Sequence, residues 1–295
     1  MAPGGARRLS KRETLVRHHR GAPGGGARDG GTGLIALEIL QRQPAGGAPR
    51  TPLLFLHGAY VGAWCWDEHF LPWFAERGFP CYALSLRGHG ASGGRERLHD
   101  FGIGDYVDDL AQAVSEIGQP PVLIGHSMGA LVVQKYLERA TARAVVHVCP
   151  VPPFGLLPST FSLAFGRPQF FAEINSLAGG HSASRRALAE ALFSGPVDAD
   201  RIDRHYARMQ AESRRALMDM TLWGLPQLWR MARVDALVLG AEHDALIAPS
   251  IAQSAAHLLG AAYRRLDGLG HAIMLEPAWE RAAQVIVDWL DERRL

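Results

Sequence analysis

Val122-Leu-Ile-Gly125-His126-Ser127-Met128-Gly129 reads as a short apolar strand running into a G-x-S-x-G turn that opens a helix. A strand-to-helix turn this sharp lifts the hydroxyl of its serine above the sheet. Glycines flank the serine because the turn is crowded and its backbone strained. The helix that follows aims free N–H groups and the positive end of its dipole at a reacting oxygen. In a chain with 33 glycines such a short match carries little weight alone. Its weight comes from the flanking strand and from the helical spacing of Met128–Arg139.

A serine hydroxyl attacks only when a base removes its proton, so Ser127 calls for a histidine on a later loop. His271 stands in Asp267-Gly-Leu-Gly-His271, just after the last strand-like run, Ala262–Leu266. The imidazole in turn needs a carboxylate to hold its tautomer. Asp244 follows the next-to-last strand, Ala236–Gly240, with Glu242 as the second choice. Ser127, Asp244 and His271 fall in the chain order that a triad on a parallel α/β sheet requires. A developing oxyanion needs two donors. The N–H of Met128 is one, and the N–H of Ala59, after the strand Leu53–His57, is the other, with Tyr60 second. Losing such a donor costs about 3 kcal/mol of transition-state stabilisation.

Outward from this centre, strands and helices alternate. Gly33–Leu40, Leu53–His57, Pro80–Leu86, Pro121–Gly125 and Ala144–Cys149 are apolar runs suited to strands. Helical spacing marks Trp64–Arg77, Tyr106–Ile117 and Met128–Arg139, the first two stopping at Gly78 and Gly118. The alternation predicts an α/β fold with a mostly parallel, twisted sheet flanked by helices. It breaks at Pro150. Residues 151–232 hold no clear strand, look helical at Leu188–Phe193 and Ile202–Met220, and are rich in aromatics. The expected layout is a core over 33–150 and 233–295, with a helical cap over 151–232 inserted after the sixth main strand. A final helix is expected over Pro277–Arg293.

Residues 1–31 carry seven basic side chains against two acidic ones, leaving a net −3 on the rest of a chain of overall charge +2. Gly-rich and poor in apolar residues, residues 1–32 are expected to be a loosely ordered extension. Arg7-Arg8 precedes no apolar stretch of export-signal length; organelle targeting or contact with an anionic surface is the other reading. The near-neutral total argues against a nucleic-acid partner, and no apolar run reaches the roughly 18 residues of a membrane span. Cys65, Cys81 and Cys149 are odd in number and widely spaced, which fits a reducing, cytoplasmic setting. No H-E-x-x-H or strand-borne glycine fingerprint occurs, so neither a metal nor another cofactor is expected. Nothing sets an oligomeric state.

Taken together, His57-Gly58, Arg87-Gly88-His89-Gly90-Ala-Ser92, Gly125-His-Ser-Met-Gly129, Gly240-Ala-Glu-His-Asp244 and Gly270-His271 make the sequence resemble the α/β-hydrolase fold family, in its serine esterase and lipase-like branch, over about residues 33–295. The resemblance implies a carboxylic-ester hydrolase acting on a small or medium apolar substrate, with Ala59 inheriting the second donor role from the His-Gly pair. The Arg87–Ser92 loop is structural in similar proteins and receives no chemistry. A serine rather than an aspartate at 127 argues against haloalkane dehalogenase or epoxide hydrolase activity. His57–Trp66 resembles methylesterases and hydroxynitrile lyases, whereas Arg87–Arg95 with Phe101 and Tyr106 resembles monoglyceride-lipase-like and lysophospholipase-like members, so substrate class stays open. The alternatives are a non-hydrolytic enzyme of the same fold (acyltransferase, lyase or cofactor-free haloperoxidase-like) and a non-catalytic ligand receptor.

Overall fold

Eight strands form one sheet in the computed structural model, which describes residues 12–16, 35–178 and 184–295. They are β1 (Arg12–Val16), β2 (Glu38–Arg42), β3 (Leu53–Leu56), β4 (Cys81–Ser85), β5 (Val122–His126), β6 (Ala144–Val148), β7 (Ala236–Ala241) and β8 (Ala262–Leu266). Their spatial order is β1-β2-β4-β3-β5-β6-β7-β8. The neighbours from β4 through β8 pair in parallel, while β1 and β2 extend the sheet antiparallel. The apolar runs thus become central strands, and every residue of β3, β5 and β6 is buried. Arg12–Val16, within the stretch expected to be loosely ordered, pairs along β2. The rest of that extension lies outside the described residues.

The two-residue period of β3 assigns its side chains to opposite faces. Leu53 and Phe55 join a core with Trp66, Phe70, Ile286 and Leu290. Leu54 and Leu56 join another with Tyr106, Leu110, Leu131 and Val132. Each such side chain contributes about 1.5–3 kcal/mol by leaving water. The helices that cover the faces are α1 (Trp64–Asp67), α2 (Phe70–Glu76), α3 (Ile103–Ile117) and α4 (Met128–Tyr136). Gly118 ends α3 at φ +76°, as its position predicts. The single helix expected over Trp64–Arg77 is broken at His69 (φ −139°), whose ring stacks on Trp279 at 4.9 Å. A tertiary contact overrides local periodicity there.

Between β6 and β7 the described residues form five α-helices: α5 (Leu157–Gly166), α6 (Pro168–Ala178), α7 (Arg185–Leu192), α8 (Ala199–Tyr206) and α9 (Arg214–Met218). The expected helix Ile202–Met220 is interrupted after Tyr206, because Ser213 starts a new one by accepting the Ala216 N–H on its hydroxyl. The aromatics of this region divide. Phe170 and Phe193 are buried, whereas Phe161, Phe165, Trp223 and Trp229 are exposed. Two further helices, α10 (Pro249–Leu259) and α11 (Glu280–Glu292), complete the core. No helix among the described residues is long and apolar enough to cross a membrane.

Burial without a charge partner keeps several core histidines neutral. It lowers His57, at the end of β3, to about 3 and His147, in β6, to about 4; His89 lowers His57 further. In the unfolded chain both titrate near 6.5, so below that pH the unfolded state binds protons that the folded state refuses. Stability is therefore fully present above pH ~6.5 and falls on acidification, by roughly 1.4 kcal/mol per pH unit for each histidine. Urea unfolding between pH 7 and pH 4 should show this decline, and a flat profile would contradict it.

Candidate active site

Ser127 sits at the junction of β5 and α4 with φ +51° and ψ −113°, a left-handed conformation that costs a non-glycine residue energy. The strain is held from both sides: its N–H donates to Val148 O (3.0 Å), and its C=O accepts from Val151 N (3.2 Å). The flanking glycines are needed for close approach. A Cβ on Gly125 would stand 2.6 Å from Gly129 O, and one on Gly129 would stand 2.5 Å from His57 O. The start of α4 therefore rests directly on the end of β3 and the loop that follows.

The structure brings His271 and Asp244 together, with Nδ1 of the imidazole 2.8 Å from Oδ2 of the carboxylate. Asp244 Oδ1 accepts from the N–H groups of Leu246 (2.9 Å) and Ile247 (2.8 Å), so its orientation is fixed. Glu242 does not compete. It accepts from Gly268 N (2.8 Å) and lies beside His243 and Arg265. Ser127, His271 and Ala59 line one cavity of about 360 Å³, a size suited to a small-molecule ligand. Its wall is mostly aliphatic or aromatic, including Leu163 of α5, Phe171 and Ile174 of α6, and Leu188 of α7. Met128, buried as the first residue of α4, has an N–H that the helix itself does not use. Tyr60, the second choice of donor on this loop, gives its N–H to Glu212 (3.3 Å).

Three side chains around these residues escaped sequence reasoning. His126 donates from Nε2 to the carbonyl of His271 (2.9 Å), and the two rings pack at 4.7 Å. Burial, then the neighbouring His271, holds its pKa well below the ordinary value, so it braces the loop as a neutral group. Glu276 accepts the N–H groups of Gly270 (2.7 Å) and Ser194 (2.6 Å), tying the His271 loop to the end of α7. Cys149, at φ +42°, turns its thiol to Asp244. Cys149, Asp244 and His271 place possible ligand atoms within 4.8 Å of one another. Burial, then the Asp244 charge, pushes the thiol up, so it is a protonated donor to the carboxylate rather than a metal-binding thiolate. Of these three, only His126 had a sequence signal, its place inside the serine motif. All three cysteines are free and buried.

A mostly parallel sheet with helices on both faces, an intervening helical region and a strained serine at a strand-to-helix turn define an α/β hydrolase. Residues 53–285 match the profile of the Alpha/beta hydrolase family, and the chain belongs to that family. It is 26% identical over 263 residues to a monoacylglycerol lipase of Mycolicibacterium smegmatis, spanning 82% of this chain and 88% of that protein. Its fold is similar to that of an esterase from Exiguobacterium antarcticum (TM-score 0.65, 15% identity, covering 87% and 96% of the two chains). It is likewise similar to a bromoperoxidase from Bacillus anthracis (TM-score 0.65, 16% identity, 87% and 96%). At these identities the likeness to solved structures is one of fold.

The contact between Gly129 and His57 yields a stability prediction. Gly129→Ala places its methyl group against backbone that cannot yield and should destabilise the chain by about 1–3 kcal/mol in urea unfolding. Gly104→Ala in α3, where a Cβ meets nothing within 4 Å, is the control and should be neutral or stabilising. Equal stability of the two variants would contradict the packing argument.

Proposed function

We propose that this chain is a serine hydrolase that cleaves a carboxylic ester of a small or medium apolar substrate through an acyl-enzyme. The observation that carries the reading is the buried 2.8 Å bond between His271 Nδ1 and Asp244, set in the cavity that the strained Ser127 also faces. With Nδ1–H donated to Asp244, the Nε2 lone pair is free to take the proton of Ser127 Oγ as that oxygen attacks the ester carbonyl. The N–H groups of Met128 and Ala59 receive the oxyanion. Collapse breaks the ester bond, and His271 returns the proton to the leaving alcohol. Water, activated by the same imidazole, then releases the acid. Asp244 stays ionised and stabilises the imidazolium formed in each step.

The apolar cavity wall supports an apolar acyl or aryl group, as does the likeness to a monoacylglycerol lipase. A lyase chemistry that relies on a cap lysine finds no support. Lys135, the sole lysine after Lys11, lies in α4 and donates to Glu138 (2.9 Å) and to Leu225 O (3.2 Å).

The wild-type chain is expected to hydrolyse a short-chain nitrophenyl ester and to be labelled by a fluorophosphonate. Ser127→Ala should lose the label and at least ~10⁴-fold in kcat. Unchanged turnover in that variant would sink the proposal. Product analysis with an added alcohol or amine acceptor separates hydrolysis from acyl transfer.

A further inference from the structure

Glu212 comes from the inserted helical region, yet its side chain is fully buried against the core. Four donors converge on it. His89 Nε2 (3.0 Å) and Tyr60 N–H (3.3 Å) reach Oε2. The Tyr106 hydroxyl (2.9 Å) and Ser213 N–H (2.7 Å) reach Oε1. A carboxylate withdrawn this far from water persists only when charged and hydrogen-bonded partners replace its solvation. Here they do so. Burial alone would raise Glu212, but His89, Ser213 N–H and Tyr106 outweigh it and the pKa is lowered. His89 Nδ1 faces Arg87 O (3.1 Å) while Nε2 faces Glu212, so both ring nitrogens meet acceptors. Both nitrogens must then carry protons, and the residue is an imidazolium. Burial opposes its charge, but Glu212 overcomes this and raises the pKa.

The same segment grips Tyr60 a second time. Gln210 N–H donates to Tyr60 O (2.9 Å), so both polar groups of that residue's backbone are held by Gln210 and Glu212. The Gln210 side chain donates to Gly88 O (2.8 Å) and accepts from Gly90 N (3.0 Å), locking the Arg87–Ser92 loop to the same strip. Tyr60 needs such a grip. Its φ is +67°, a conformation that a bulky residue keeps only when its surroundings impose it. Tyr60 directly follows Ala59, whose N–H the proposed reaction uses.

We propose that Glu212, with Gln210, is a positioning clamp. By holding the Tyr60 backbone it turns the Ala59 N–H toward the oxyanion, so the inserted region sets the rate of the chemical step and not only the shape of the cavity. The catalytic part of this inference rests on the ester-hydrolase reading, whereas the clamp itself is readable without turnover.

In the wild-type full chain, amide hydrogen exchange followed by NMR should show Tyr60 N–H as slow as the amides of β3. Exchange at the rate of an open loop overturns the clamp. Glu212→Gln places an NH2 where two donors need an acceptor. It should speed Tyr60 exchange at least ~10-fold and lower kcat for a nitrophenyl ester roughly 10- to 100-fold, with KM within about twofold. A folded Glu212→Gln chain with wild-type kcat, or with a loss confined to KM, overturns the positioning role. If that variant does not fold, Tyr106→Phe is read instead, since it removes one donor from Glu212 and touches neither Ala59 nor Tyr60. It should lower kcat about two- to fivefold at constant KM, and unchanged kcat overturns the proposal. A wild-type chain with a protected Tyr60 amide but no ester turnover would support the clamp and place the failure on the hydrolase reading.

Discussion

Gly129 and the carbonyl of His57 approach so closely that no side chain fits between them, and the working geometry of the molecule descends from that contact. Leu56 of β3 pairs with Gly125 of β5, so the two strands end side by side. The chain leaving β3 must cross directly above the turn leaving β5. Only glycine at 129 lets α4 start this close to the end of β3, where Ala59 of the following loop lines the same cavity as Ser127. The strained φ of Ser127 is the cost of aiming a side chain upward from that junction. The bonds to Val148 O and from Val151 N keep it there.

Around this junction the inserted region acts as a brace at two places. On one side Gln210 and Glu212 grip Tyr60. On the other, Ala272 N–H donates to Leu192 O (2.8 Å), and Glu276 joins Gly270 to Ser194. The loop after β3 is thus tied to the segment between α8 and α9, and the loop after β8 to the end of α7. Charge is rationed accordingly. His57, His126 and His147 are kept neutral by burial. His89, whose ring nitrogens face Arg87 O and the buried Glu212, carries charge.

Local patterning made the sheet legible, because fully buried parallel strands are continuous apolar runs and their glycine stops are left-handed helix ends. It singled out Ser127, Asp244 and His271 because each stands within a few residues of a strand end, and reach from a strand end is a short-range property of the chain. It could not locate Glu212, which looked like a polar position on a long helix over Ile202–Met220. The Ser213 cap and the buried His89 partner, 123 residues away in sequence, convert that position into a core carboxylate. The break at His69 escaped for the same reason, since Trp279 stands 210 residues further on. The Arg87–Ser92 loop was read as purely structural, and its contact with Gln210 and Glu212 gives that structural role a direction.

The helical region between β6 and β7 is consequently not separate from the rest of the fold along its whole length. Gln210, Glu212 and Ser213 belong to the chain between β6 and β7, yet they bond to Gly88, His89 and Phe101. A chimera that exchanged the whole insertion for that of a relative would remove the counter-ion of a buried imidazolium and leave His89 facing an acceptor that no longer exists. The helical region is modular only outside that strip. Recombination that alters α5 to α7 can change what enters the cavity, while residues 209–213 must travel with the parent core.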